Sequence, residues 1–176
     1  LLAKGPNIML GYYNRQDLTD EVFTQDGFFK TGDIAKIDGD GFFYIIDRKK
    51  DILVLSTGKN VAPQPIESAL VASRFIAQAV VIGEKRPYVT ALIYPDRDQL
   101  SGVVSSSDLA GQEVLGFYHK EIESCLSAFS PFEKVKKFLF LPQELTQESG
   151  ELTPTLKVKR PVIRATYQSL IEDLYS

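Results

Sequence analysis

Between Gly41 and Asn60 the chain reads GFFYIIDRKKDILVLSTGKN, and the charged run Asp47-Arg48-Lys49-Lys50-Asp51 inside it limits what the whole can fold into. The apolar stretches on either side have strand composition. Consecutive charges cannot share a dry core with them, because a buried charge is costly unless it is paired. The run therefore belongs at a surface, or where the chain passes from one domain to the next. Upstream of it the chain is aromatic and Gly-rich; downstream it reads as a compact α+β unit. We take the break as a joint, with residues 1–47 as the β-rich tail of one domain and 48–176 as a second domain.

Residues 1–14 open as a strand and then turn at Gly5-Pro6 and Gly11-Tyr12-Tyr13. A short helix is expected over Asp17–Phe23, with Asp17 as its cap before Leu18 and Val22. Ile34–Ile37 and Phe42–Ile46 are joined by Asp38-Gly39-Asp40-Gly41, the pattern of a β-hairpin. An isolated hairpin is marginal in water, so these residues call for a partner sheet that the chain does not contain. A calcium reading of the Asp/Gly turn fails, because the first acidic ligand position would fall on Lys36 and strands stand where helices are needed.

Beyond the joint, Asp51–Leu55 is a strand, and a helix with Pro65 in its first turn carries Ile66, Ala69 and Leu70 on one face. Ile76–Ile82 and Tyr88–Tyr94 form an antiparallel hairpin around a polar turn. The polar stretch 97–107 has no assigned element. A longer helix is expected over Ala110–Phe129, its stripe made by Val114, Tyr118, Ile122 and Leu126, with Pro131 beyond its end. Phe138–Leu141 is a strand, 146–155 a polar loop, and Pro161 opens a last helix with Ile163, Tyr167, Leu170 and Leu174 on one face. Hairpins rather than βαβ crossovers are expected. The fold class is α+β: a small, mostly antiparallel sheet flanked by helices, preceded by a β-hairpin remnant of a larger domain.

A hydrophobic share of 44% with 24% charged residues suits a globular chain, and a formal net charge of −3 disfavours bulk nucleic-acid binding. The same charge disfavours an RNA- or membrane-binding module built on Lys134, Lys136, Lys137 and Arg160. One cysteine allows no internal disulfide and fits a reducing compartment. No apolar run approaches the roughly 20 residues of a spanning helix, and no signal-peptide pattern opens the chain. The chain starts without Met inside a patterned segment, so a fragment of a longer protein is expected.

Some residues have chemistry worth weighing one by one. Asp33, after Thr31-Gly32, could receive two ribose hydroxyls or simply cap a turn, and the turn is the commoner role for such a tripeptide. The run around Lys50 is either a solvated charge run or a hinge. Lys157, in Glu151-Leu152-Thr153-Pro154-Thr155-Leu156-Lys157-Val158-Lys159-Arg160, is a mobile point charge ahead of a helix, suited to an anionic centre or to a plain phosphate patch. His119 is a lone histidine with no Ser/Asp pattern around it, and Cys125 reads as a small core residue.

Four ordered motifs closely resemble the last motifs of the AMP-forming acyl-CoA synthetases: Thr31-Gly32-Asp33, Asp47–Asp51, Ser56-Thr57-Gly58-Lys59-Asn60-Val61-Ala62-Pro63 and Thr153–Arg160. The ending ELTPTLKVKR looks most like the long-chain fatty acyl-CoA synthetases within that adenylate-forming superfamily. The resemblance spans essentially the whole chain. It implies that Asp33 holds the ATP ribose hydroxyls, that Arg48 also reaches the ribose, and that Lys50 is the hinge of a rotating C-terminal domain. It further implies that Ser56, Thr57 and Gly58 lie in the loop used for thioester formation with CoA, and that Lys157 serves adenylation. It brings ATP, Mg²⁺, CoA and a fatty acid as small-molecule substrates or cofactors, and an N-terminal domain of the same chain as partner. No metal ligand is assigned here, and no nucleic acid is implied. The implied setting is cytoplasmic, compatible with peripheral contact at a membrane.

One position departs from the pattern. Many members have Gly immediately before the catalytic lysine, and here that place is Leu156. The phosphate loop and acyl pocket of the large domain are not among these residues. Chemically, adenylation brings a carboxylate to an α-phosphate, so a positioned ammonium offsets the repulsion of two anions. Thioester formation wants a neutral loop in the same place, which one swinging domain can supply. A ligase for another carboxylate, or a non-catalytic module that keeps the fold, are the competing readings.

Overall fold

The computed structural model describes residues 1–104 and 108–176, and the end of the unassigned stretch 97–107 lies outside them. The chain divides into two compact units, Leu1–Ile52 and Leu53–Ser176. The first holds β1 (Leu2–Ala3) paired with β2 (Phe29–Lys30), α1 (Gln16–Val22), and the hairpin of β3 (Asp33–Ile37) and β4 (Phe43–Arg48), followed by a 3₁₀ turn at Lys49–Asp51.

The Asp/Gly turn closes the hairpin by local chemistry. The Asp38 carboxylate accepts the backbone N–H groups of Asp40 and Phe42 at 3.0 and 2.9 Å. A register shift between Ile34 and Ala35 then alters which residues of β4 face which of β3. Ile37, Phe43, Tyr44 and Ile45 remain exposed on this two-stranded ribbon, as expected of a hairpin without a covering layer. Asp17 does not cap α1: Arg15 holds the cap position, and Asp17 pairs with it at 2.7 Å instead.

The second unit is organised on a three-stranded sheet of β7 (Ile76–Ile82), β8 (Thr90–Pro95) and β9 (Lys137–Phe140). Successive side chains of β7 point to opposite faces. Ala79 and Val81 pack with α2 (Pro63–Val71) and α4 (Gln112–Cys125), whereas Val80 and Ile82 pack with α5 (Arg160–Thr166) and α6 (Gln168–Asp173). Burial on both faces explains the unbroken apolar run AVVI. A two-stranded piece, β5 (Leu53–Val54) with β6 (Asn60–Val61), and the short helix α3 (Arg97–Ser101) complete the unit. Among the described residues no helix is long and apolar enough to cross a membrane.

The class is α+β and most ladders are antiparallel, but three expectations need correction. β9 runs parallel to β8, Ala91 opposite Phe138, so the chain from β8 through α4 to β9 is a crossover and not a hairpin. The long helix is shorter than 110–129; it spans Gln112–Cys125, with Val114, Tyr118 and Ile122 on its buried stripe. The last helix is two helices, broken at Tyr167, where φ is −108° and ψ is 27°. His119 stacks edge-on against Phe138 at 5.0 Å, and burial raises the Cys125 thiol above its ordinary pKa.

Two buried phenols give the domain a pH limit. Tyr118 donates to the Phe75 carbonyl at 2.7 Å, and Tyr167 donates to the Glu151 carboxylate at 2.6 Å. Burial is the main cause that pushes each hydroxyl up to about 12 from an ordinary 10. The folded state thus prefers the neutral phenol more than the unfolded chain does. Its contribution is complete below pH 10 and is lost as pH rises through about 12. Urea melts across that window should lose on the order of 2 kcal/mol per phenol, and Tyr118→Phe should remove its share of the slope. A slope unchanged by that substitution would refute the assignment to Tyr118.

Candidate functional site

Asp33 opens β3 and Arg48 closes β4, and they stand opposite each other in the ladder. Gly32 precedes them at φ 77°, a left-handed conformation that favours glycine, and its carbonyl accepts the Lys49 N–H at 2.8 Å. The Arg48 Nε lies 3.4 Å from the Asp33 Oδ1, with the two side chains 55% and 23% exposed. The hairpin register therefore brings together two residues that are 15 positions apart. At that exposure the ion pair contributes little to stability. It does leave a carboxylate and a guanidinium side by side and open to a hydroxyl-bearing ligand.

Lys50 is exposed in the 3₁₀ turn Lys49–Asp51, directly before the boundary between the two units. Ser56, Thr57 and Gly58 form the exposed turn between β5 and β6. Gly58 sits at φ 78° with no atom within 4 Å of where a Cβ would be, so backbone conformation and not space calls for glycine. The turn is held at its base, where Leu55 and Lys59 are bonded at 2.9 Å and the Ser56 N–H donates to the Arg86 carbonyl at 2.9 Å. No charged side chain occupies its tip.

Lys157 lies on the descending limb of a small arm. Residues 151–153 pair with 157–159: the Lys159 N–H donates to the Glu151 carbonyl, Leu152 bridges Val158, and the Thr153 N–H donates to the Lys157 carbonyl. The Thr153 hydroxyl accepts the Lys157 N–H at 3.0 Å. Reversing the chain over Pro154-Thr155-Leu156 forces Leu156 to φ 58°, and its side chain is 66% exposed. A left-handed residue is what this turn needs, and a non-glycine there bears a strain of roughly 1–2 kcal/mol. The departure from Gly at this position is thus one of side chain alone. Among the described residues no carboxylate lies within ion-pair distance of the Lys157 ammonium.

Two anchors root this arm; from the sequence, Glu151 has no assigned role and Arg160 is placed only in the disfavoured basic module. Glu151 is 2% exposed; its carboxylate accepts the hydroxyls of Tyr167 and Ser149, both at 2.6 Å. Arg160 donates to the Glu67 carboxylate at 2.7 Å and to the Val81 carbonyl at 2.8 Å. Arg160 is therefore committed to the domain's own packing, unlike a free basic patch. Both anchors lie within ELTPTLKVKR, but their partners, Tyr167, Glu67 and Val81, are distant or separately placed in sequence. The only sequence signal was an acidic residue beside an apolar one at the head of the motif.

Residues 50–176 match the AMP-binding enzyme C-terminal domain. The long-chain-fatty-acid–CoA ligase FadD15 of Mycobacterium tuberculosis is 40% identical over 186 aligned residues, taking in 100% of this chain and 31% of that protein. The human long-chain-fatty-acid–CoA ligase 1 is 35% identical, over 99% of this chain and 26% of its own length. The adenylation domain of a carboxylic acid reductase from Segniliparus rugosus, solved in complex with AMP and a co-purified carboxylic acid, superposes with a TM-score of 0.84 at 30% identity. It covers 99% of this chain and 27% of that one. The chain thus spans about a third or less of the relatives it matches. Matched over most of its length, this chain belongs to the family of AMP-binding enzyme C-terminal domains.

Proposed function

We propose that the chain is the C-terminal part of an AMP-forming long-chain fatty acid–CoA ligase, which activates a fatty acid with ATP as an acyl-adenylate and passes it to CoA. The observation that carries this reading is the match to two long-chain-fatty-acid–CoA ligases along 100% and 99% of this chain. Asp33 accepts the ribose hydroxyls, and Arg48 reaches the ribose from the neighbouring strand. Lys50 is the pivot, and the joint between domains lies within 48–52. Ser56, Thr57 and Gly58 present an uncharged turn past which the CoA thiol reaches the acyl-adenylate. Lys157 brings its unpaired ammonium to the carboxylate and α-phosphate during adenylation, and withdraws when the domain turns. Among the described residues no group of three or more His, Cys, Asp or Glu side chains converges.

The likeness to a carboxylic acid reductase adenylation domain supports a coarser second reading, adenylation of some other carboxylic acid. Acid-dependent ATP–pyrophosphate exchange by the full-length protein separates the two. Palmitate is expected to give the highest exchange, with AMP release and palmitoyl-CoA once CoA is added. Exchange with benzoate or octanoate but not palmitate would replace the long-chain reading. No exchange with any acid would overturn the enzymatic reading altogether.

A further inference from the structure

We infer that Glu151 is a positioning residue for Lys157, its buried carboxylate setting the orientation of the arm through the Tyr167 hydroxyl. The inference rests on the reading of Lys157 as the adenylation lysine. A carboxylate that is 2% exposed and, among the described residues, hydrogen-bonded by neutral donors is an expensive way to fill space. Apolar packing of equal volume would hold the domain at least as well. A hydrogen bond differs from packing in being directional.

The direction here is transmitted over a short distance. The Glu151 carboxylate also takes the Thr146 N–H at 3.4 Å, while the Glu151 carbonyl takes the Lys159 N–H at 2.8 Å. One residue therefore ties the interior to both limbs of the arm. Lys157 stands two residues up the descending limb from that tie. The Tyr167 hydroxyl reaches Glu151 from the break between α5 and α6. Tyr167 itself is buried among Val80, Ile163 and Ile171, so its ring is a fixed post. Loss of the carboxylate would leave the arm paired within itself and rooted through Arg160 without its second anchor, so that Lys157 shifts against the reacting phosphate.

The test is made in the full-length protein with Glu151→Met, Glu151→Gln, Tyr167→Phe and Lys157→Ala. A misplacement of about an ångström costs up to roughly 10²-fold in rate. Glu151→Met and Tyr167→Phe should lower kcat of palmitate-dependent pyrophosphate exchange by about 10- to 10²-fold, with KM for ATP unchanged. Conversion of supplied palmitoyl-adenylate with CoA should be untouched. Glu151→Gln, which still accepts a hydroxyl, should recover much of the loss. Added to Lys157→Ala, Glu151→Met should cost nothing more in adenylation. Tyr167→Phe removes a single oxygen and keeps the test open if Glu151→Met does not fold. Equal losses in both half-reactions, tracking the folded fraction, would reduce Glu151 to a structural role and overturn the inference. Full adenylation in folded Glu151→Met, with Lys157→Ala impaired, would overturn it alone. Full adenylation in Lys157→Ala would overturn the reading of Lys157 and this inference together.

Discussion

Replacing Lys157 by alanine in the full-length protein is expected to slow acyl-adenylate formation by about 10²–10³-fold, the usual cost of removing one preorganised electrostatic contact to a transition state. Lys157 is exposed on a braced arm and has no carboxylate partner among the described residues, so its charge is available to a ligand. If it acts only while carboxylate and α-phosphate combine, the loss belongs to that step. Conversion of supplied acyl-adenylate with CoA should stay nearly intact, because the domain has then turned. Stability should hardly change, since an exposed, unpaired loop lysine contributes little. A general phosphate patch predicts a modest loss spread over both steps. Measuring the two half-reactions side by side decides the matter, and equal losses would end the catalytic assignment.

Arg160→Met is expected to destabilise the second unit by about 3 kcal/mol, or roughly 10 °C in Tm. β7 is an edge strand of the three-stranded sheet, and at Val81 both of its outward backbone groups are satisfied by side chains. The Glu67 carboxylate from α2 accepts the Val81 N–H at 2.8 Å, and Arg160 from α5 donates to the Val81 carbonyl. The two side chains pair at 2.7 Å while only 18% and 16% exposed. Removing the guanidinium takes a charged partner from a largely buried carboxylate and the side-chain donor from the Val81 carbonyl, which costs more than losing a surface ion pair. Glu67→Gln in the Arg160→Met background should regain part of the stability, because the amide still accepts the Val81 N–H and is less costly to bury than a carboxylate. A second substitution that adds a full further loss would show that packing, not charge, held this corner.

Much of this was legible because it is local. The hairpin turn follows from Asp38 and its reach to its own backbone. β7 and β8 follow from short apolar runs around a polar turn, and the α4 stripe from the spacing of Val114, Tyr118 and Ile122. The motifs carrying Asp33, Arg48, Lys50, Ser56–Gly58 and Lys157 were readable as a linear string, so the family was too.

Other features depend on residues that meet only in the folded chain. The parallel placement of β9 beside β8 is a choice among edges of a sheet, and an apolar run such as Phe138–Leu141 fits any of them. The break at Tyr167 is invisible to helical spacing, because Ile163, Ile171 and Leu174 stay buried on either side of it. Leu156 in a left-handed conformation runs against its own preference, and the paired limbs of the arm impose it. By itself the sequence determined which segments are apolar, where the chain is charged and which chemical groups are present, since these are properties of neighbours along the chain. Tertiary structure alone decided that Arg48 faces Asp33, that Arg160 is taken up by Glu67, and that Glu151 is buried under the arm of Lys157. The first depends on the register shift inside the hairpin and the other two on pairings between distant segments, and no residue's chain neighbours set the partner.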